Sequence, residues 1–420
     1  MRRRAENDQT QVRPPTRLFA LLWLIPAIAL ACFIGALVSS SHHARLSAAL
    51  LQAVNQRDGP RVEHLLTQGA DPDVQDWRTY YCKGRIPFRP PWYEKPLAKL
   101  MRRRPRPADP YLGPTALMIA AFHGDAAIVQ SLLTHGADIT RVGTRVEDDG
   151  VGRLRPPVAP LFETISTYET ILSNGSFVVG SPPGNNVTTA LLLIRQGAPV
   201  NTRVSGLTPL MLTDRPEIAA ALIDRGAEVN VSADGAAEND EGKTPLMFAV
   251  DPSPSSSTID KTDAQRAAMT LLQLNKGANV NAIAITGYGL TALGTAAVCQ
   301  LPKTAGVLLA HGAKPNLCGP TDDPPLVYAA RAKDLGMMAA LLSHGANANI
   351  RGSGGVTALM LASYPGFVPC LPPHSQWRSR RRALQKLLRQ YKADPRLKDR
   401  DGHRAADYES MDDPEQVCGP

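Results

Sequence analysis

Aromatic side chains are scarce in this 420-residue chain, at 5% of its residues. Strands draw on β-branched and aromatic residues, so this shortage, set against abundant Ala, Leu and Gly-Ala turns, favours small-residue helix packing over sheets. Catalytic signatures are missing as well: no P-loop, no H-E-x-x-H and no G-x-S-x-G occurs, so nothing locates a nucleotide, a metal or a nucleophile. The expectation is therefore no enzyme, no catalytic residue, no cofactor and no metal ligand. Cysteine is sparse, at 6 residues, and no C-x-x-C or zinc-like spacing joins them. Disorder is excluded in turn by 43% apolar residues against 20% charged, a balance that fits one extended or two or three compact domains. The formal charge of +8 permits anionic partners without naming one.

One long apolar run stands out. "LFALLWLIPAIALACFIGALV", Leu18–Val38, is uncharged over 21 residues, and a helix of about 20 residues spans a hydrocarbon core about 30 Å thick. Twelve of these residues are Leu, Ile, Phe or Val, which together favour insertion by roughly 4 to 7 kcal/mol before Pro26 is counted. A cleaved secretory signal is the competing reading, but its apolar core is ordinarily shorter and no clear A-x-A site follows. The segment is expected to be retained as a signal anchor. Arg2, Arg3, Arg4, Arg13 and Arg17 precede it, so the basic leader 1–17 stays cytoplasmic and the rest is exported. In a Gram-negative bacterium, which the Arg-, Pro- and Ala-rich composition suggests, that places it in the periplasm. Cys32 then lies in the span, and Cys82, Cys299, Cys318, Cys370 and Cys418 lie where disulfides can form. Five cannot all pair internally, and their connectivity stays open.

The chain also repeats itself. "LLTHGADIT" (132–140) returns as "LLTQGADPD" (65–73), "LLIRQGAPVN" (192–201), "LIDRGAEVN" (222–230), "LLQLNKGANVN" (271–281), "LLAHGAKPN" (308–316) and "LLSHGANAN" (341–349). Upstream lie "TALMIAA" (115–121), "TPLMLT" (208–213), "TPLMFAV" (244–250), "TALGTAA" (291–297), "PPLVYAA" (324–330) and "TALMLAS" (357–363). Thr115 to Gly136, Thr291 to Gly312 and Pro324 to Gly345 are each 21 residues, and Gly312 to Gly345 is 33, so one supersecondary unit recurs with a period near 33. Thr208 and Thr244 suit helix N-caps whose hydroxyls take an orphan amide, and Pro209 and Pro245 sit where no N–H donor is needed. Ile128, Val129, Leu132 and Leu133 form one apolar stripe, and Gly136 can take the left-handed conformation that ends a helix. His135, His311 and His344 recur just before Gly-Ala, which predicts a structural place at the helix end.

On these residues the sequence resembles the ankyrin repeat family, whose pattern joins T-P-L-H-x-A to a paired-leucine helix and a Gly-Ala turn. The family's usual histidine is replaced by Met118, Met211, Met247 or Met360. The resemblance implies an all-α solenoid of about eight helix-turn-helix units over residues 44–410, with turn fingers and first helices lining a concave binding surface and "DGHRAADYE" (401–409) as a C-terminal cap. Residues 411–420 form a tail. Each unit leaves an apolar face open, so stability comes from neighbours.

Insertions at 71–112, 141–158, 167–186, 251–263 and 365–380 break the period; the last three are rich in Pro, Ser and Gly and read as loops. The longest excess, 76–107, gathers Trp77, Tyr80, Tyr81, Arg85, Phe88, Arg89, Trp92 and Tyr93 with the Arg102–Arg104 run. Aromatic and Arg enrichment marks interface hot spots, so these eight residues are the candidate partner-binding site. The other reading is a loop folded back so that its aromatics cover the first repeats. Anionic lipid contact by 76–107 is a further reading, because this insertion follows the apolar run most nearly; nucleic acid is not expected on an exported domain. Three functions follow in order: a membrane-tethered scaffold that holds another protein, an immunity-type inhibitor that masks an exported toxin, and an enzyme with an unrecognised site.

Overall fold

The computed structural model describes residues 42–75, 113–143, 158–165, 169–171, 177–179, 186–234, 240–251, 262–284, 290–319, 323–364 and 374–409. Eight helix pairs succeed one another within these residues: α1 (42–55) with α2 (Gly59–Thr67), α3 (Ala116–His123) with α4 (Ala126–Thr134), and α5 (Pro160–Ile165) with α6 (Val187–Arg195). Then come α7 (Pro209–Leu212) with α8 (Pro216–Asp224), α9 (Pro245–Val250) with α10 (Asp263–Asn275), and α11 (Ala292–Val298) with α12 (Pro302–Ala310). The last are α13 (Pro325–Arg331) with α14 (Leu335–Ser343) and α15 (Ala358–Ser363) with α16 (His374–Gln390). First helices pack in a row, each on the next from α3 to α15, and second helices form a parallel row from α2 to α16. Helices of only 4 to 13 residues in most of these pairs are marginal alone, so packing between neighbours must hold them.

The core shows how. Leu117, Leu132, Leu193, Leu222, Leu308 and Leu341 are fully or almost fully buried, and Ala120, Ala190, Ala219, Ala296 and Ala329 fill the close contacts between them. Burying one such leucine contributes about 1.5–3 kcal/mol. Along α4, Ile128, Val129 and Leu132 are buried as the stripe predicts, whereas Leu133 is half-buried at the margin of the cluster. Gly136 has φ 90, and Ala137 N–H donates back to the Leu132 carbonyl at 3.0 Å, closing the helix end. The same left-handed glycine recurs at Gly69, Gly197, Gly226, Gly277, Gly312 and Gly345, and Lys392 takes that place after α16 with φ 61.

Caps divide into two kinds. The hydroxyls of Thr115, Thr291 and Thr357 accept from the backbone N–H three residues on. Thr208 and Thr244 stand at the same position but do not cap as expected: their hydroxyls are buried and unpartnered among the described residues. There the amides of Met211 and Met247 donate instead to the carbonyls of Thr208 and Thr244, at 3.0 and 2.9 Å, in a tighter first turn. The methionine in place of histidine is not idle. Sδ of Met211 and of Met360 accepts from the N–H of Thr208 and Thr357, at 3.5 and 3.3 Å.

Two insertions differ from the loops expected. Residues 167–186 carry a small antiparallel hairpin, β1 (Glu169–Ile171) with β2 (Phe177–Val179), in register Thr170 to Val178. Thr170, Ile171, Val178 and Val179 are β-branched, which suits strand pairing. Residues 374–380 belong to α16, which starts directly after Pro372 and Pro373; proline is tolerated at a helix start, and the Arg, Gln and Ser that follow do not oppose a helix. The expected cap at 401–409 ends in a 3-10 turn, Asp407–Glu409, packed on α15. No helix among the described residues is long and apolar enough to cross a membrane; Leu18–Val38 lies outside them.

Candidate partner-binding surface

Trp77, Tyr80, Tyr81, Arg85, Phe88, Arg89, Trp92 and Tyr93 all lie outside the described residues. Where their segment leaves and re-enters the fold is described. Gln75 and Thr115 form an antiparallel bridge, Ala116 N–H donates to the Val74 carbonyl at 3.0 Å, and Gln75 Nε2 reaches the Val142 carbonyl at 3.5 Å. Residues 76–112 therefore grow from the closed base of a turn finger. Gly143 and Val158 close the base of 144–157 in the same manner, and Ile283 with Thr291 closes that of 285–289.

The fingers are tied to one another by a series of asparagines. Asn201, Asn230, Asn281, Asn316 and Asn349 each lie four residues beyond the turn glycine of their own unit. Each side-chain oxygen accepts from a backbone N–H of the following finger, for example Lys314 on Asn281 at 2.9 Å and Asn347 on Asn316 at 2.8 Å. Each amide nitrogen donates to the next turn's carbonyl, as Asn281 does to Gly312 at 3.1 Å and Asn349 to Lys392 at 3.1 Å. Asp73 stands in this place in the first finger and makes only the accepting bond, from Asp138 N–H at 2.7 Å, because a carboxylate has no hydrogen to give. Replacing Asn316 with Ala should cost about 1–2 kcal/mol, and Asn316→Asp should fall between, since it keeps one of the two bonds. Urea unfolding of the three proteins checks this order.

The recurring histidines are also structural. Nδ1 of His135, His311 and His344 lies 2.9, 2.9 and 2.8 Å from the carbonyls of Ser131, Val307 and Ala340, one turn back. Each adds a further contact to a carbonyl in the last turn of its helix, where those of Ser131 and Val307 already accept a backbone N–H.

On the first helices, the position four residues after the cap forms a column: Leu212, Phe248, Thr295, Tyr328 and Leu361. Leu212, Phe248, Tyr328 and Leu361 are half-buried and Thr295 is buried, while the residues just before the four half-buried ones, Met211, Met247, Val327 and Met360, are buried. Cations attend both aromatics: Lys243 Nζ is 5.7 Å from the Phe248 ring centre and the Arg331 guanidinium 5.8 Å from that of Tyr328. Lys243 also pairs with Asp240 at 2.8 Å and Asp251 at 2.6 Å. Burial pushes its pKa down, but the two carboxylates outweigh it and the net direction is up. Arg331 pairs with the buried Asp323 at 2.7 Å. Burial alone would raise the Asp323 pKa, yet the Ser353 amide and Arg331 together draw it down. The family resemblance implied that first helices line a concave surface, but these five residues were not singled out, because they are single positions spread across five repeats.

Polar residues elsewhere serve structure. Asp399 accepts from Asp401 and His403 amides and from the Tyr408 hydroxyl at 2.6 Å, which fastens the last turn. The Cys299 thiol is half-buried, and burial pushes its pKa up to about 11, away from the thiolate. Lys333 donates from Nζ to the carbonyls of Leu361 and Tyr364, closing the end of α15. Burial, with help from Arg381, lowers its pKa to about 8 from 10.5. Below about pH 8 the lysine is charged folded and unfolded; between 8 and 10.5 only the unfolded chain keeps the proton, so stability from this group rises with pH there. The melting temperature relative to Lys333→Met should accordingly climb from pH 8 to 10, and a flat difference would reject the shift.

This arrangement of stacked helix pairs, finger turns and a graded first-helix column is an ankyrin-like solenoid, a fold typically used for binding other proteins. Two segments, residues 112–143 and 322–353, match the ankyrin repeat family. No curated protein matches the chain. The crystal structure of the human ASB11 ankyrin repeat domain is similar at 20% identity, covering 67% of this chain and 100% of that one, with a TM-score of 0.44.

Proposed function

We propose that this chain is a membrane-tethered protein–protein interaction scaffold, anchored by Leu18–Val38 with its repeats outside the cytoplasm, and that the insertion 76–107 supplies the main partner contacts. One observation carries the reading. The residues that flank the insertion, Gln75 and Thr115, pair at a finger base directly at the start of α3, so the chain leaves and rejoins the described fold where fingers and first helices lie. A segment rich in Trp, Tyr and Arg is suited to anchor a partner there. The uncharged length of Leu18–Val38 and the arginines before it support the tether and its direction.

The test is partner capture from cross-linked membranes with the full chain. Trp77, Trp92 and Arg89 replaced together by Ala should weaken capture by about 2 kcal/mol or more, roughly thirtyfold, with helicity unchanged. Undiminished capture would remove the insertion from the binding site. A reporter fused to the carboxyl end should behave as exported, and a cytoplasmic signal would reverse the topology.

A further inference from the structure

The last helix of the stack ends the second-helix row, and its outward face differs from that of its predecessors. Counting back from the left-handed residue that closes each helix, Ala305 and Leu309 of α12 and Met338 and Leu342 of α14 are buried, each in a helix followed by another. The corresponding residues of α16 are Gln385, half-buried, and Arg389, exposed. Arg382, Lys386 and Arg389 lie at i, i+4 and i+7, so they form one stripe that climbs roughly 10 Å along the helix. With Gln385 and Gln390 they line an open groove of about 490 Å³. No acidic residue lines it, and the carboxylate nearby, that of Glu409, is taken by Gln385 at 2.7 Å and by Arg381 at 3.5 Å. Arg382, Lys386 and Arg389 have no ion-pair partner among the described residues.

A terminal repeat needs a polar outer face to stay soluble. Solubility alone is served by interspersed charges of both signs, whereas this groove holds cations only. We propose that the outer face of α16 is a docking surface for an acidic polypeptide segment of a partner protein, with Arg382, Lys386 and Arg389 as its carboxylate-binding groups. Arginine forks match carboxylates in two parallel hydrogen bonds, and the Gln390 amide can meet a peptide backbone. The lining has no aromatic side chain on which a base would stack and no apolar one to enter a bilayer. The surface is separate from the finger-borne insertion, and its occupancy does not depend on the proposed tether.

Fluorescence anisotropy of a labelled glutamate-rich peptide of about twenty residues, titrated with detergent-solubilised full chain, tests this, and binding should weaken as salt rises. The triple variant R382E/K386E/R389E should lose at least about tenfold in affinity while circular dichroism and melting temperature hold. Reversing three exposed cations elsewhere, R45E/R61E/K303E, should leave affinity near that of the unaltered protein. No loss in the first variant, or equal losses in both, would leave a solubilising cap only and overturn the proposal. So would tighter α16-dependent binding of phosphatidylserine vesicles or of a single-stranded DNA oligonucleotide than of the peptide.

Discussion

Leu341→Ala should lower the free energy of unfolding by about 2–5 kcal/mol, because it removes three side-chain carbons from a fully buried site and leaves a cavity. Leu341 is fully buried in α14, which packs on α12, α13 and α16. Leu335 in the same helix is 37% exposed, and Leu335→Ala should stay within about 0.5–1 kcal/mol. The distribution of the damage matters as much as its size. Each pair leans only on its neighbours, so hydrogen exchange should quicken in α12 through α16 while α3 and α4 keep their protection. A loss spread evenly over all eight pairs would mean a single global core and would contradict the stacked arrangement.

Gly143→Ala should cost about 1–3 kcal/mol for the opposite reason, overpacking. A Cβ at residue 143 would sit 2.6 Å from the Gly113 carbonyl oxygen and 3.1 Å from Pro114 Cα, both backbone atoms that cannot turn aside. The Met118 sulfur, at 3.0 Å, is the one neighbour able to move. Relief would have to separate the strand returning from 76–112 from the one leading into 144–157, and would strain the paired bonds between Gly143 and Val158 at 3.1 and 2.9 Å. Gly306→Ala supplies the contrast: it lies inside α12 with nothing within 4 Å of the added methyl, and should stabilise by about 0.5–1 kcal/mol. Thermal unfolding of the two variants should move in opposite directions; a neutral Gly143→Ala would show that the two finger bases are not packed together.

Much of the stack was legible in the residues because its rules are local. Paired leucines in an apolar stripe of i, i+4 spacing, a glycine able to adopt positive φ, and a capping Thr before an Ala-rich run each act within a turn or two of helix, so the helix pairs could be placed by reading along the chain. Three local expectations still failed, one of them the loop at 167–186, which carries a hairpin. At Thr208 and Thr244 the cap carbonyl competes with the hydroxyl for the same amide, and geometry decided for the carbonyl. At 374–380 the composition of the preceding prolines masked a helix start. The asparagine ties were visible as a spacing of four from the turn glycine, yet their partners lie 25 to 49 residues onward, beyond what local pattern reveals. The aromatic segment of 76–107, which the residues singled out most strongly, lies outside the described part of the fold, and only its base is placed.

Sequence alone determined that the chain is built from repeated helix pairs, that one segment near its start has the length and polarity of a membrane span, and that its longest insertion is aromatic and basic. These are properties of periodicity, hydrophobicity and composition, each readable in one dimension. Tertiary structure decided which residues share a surface: the Leu212 to Leu361 column and the finger ties exist only once repeats stand side by side, and the place of α16 at the end of the described row decided which of its faces stays uncovered. The physical reason is that stacking turns a period along the chain into adjacency in space, and no single repeat contains the neighbour that it touches.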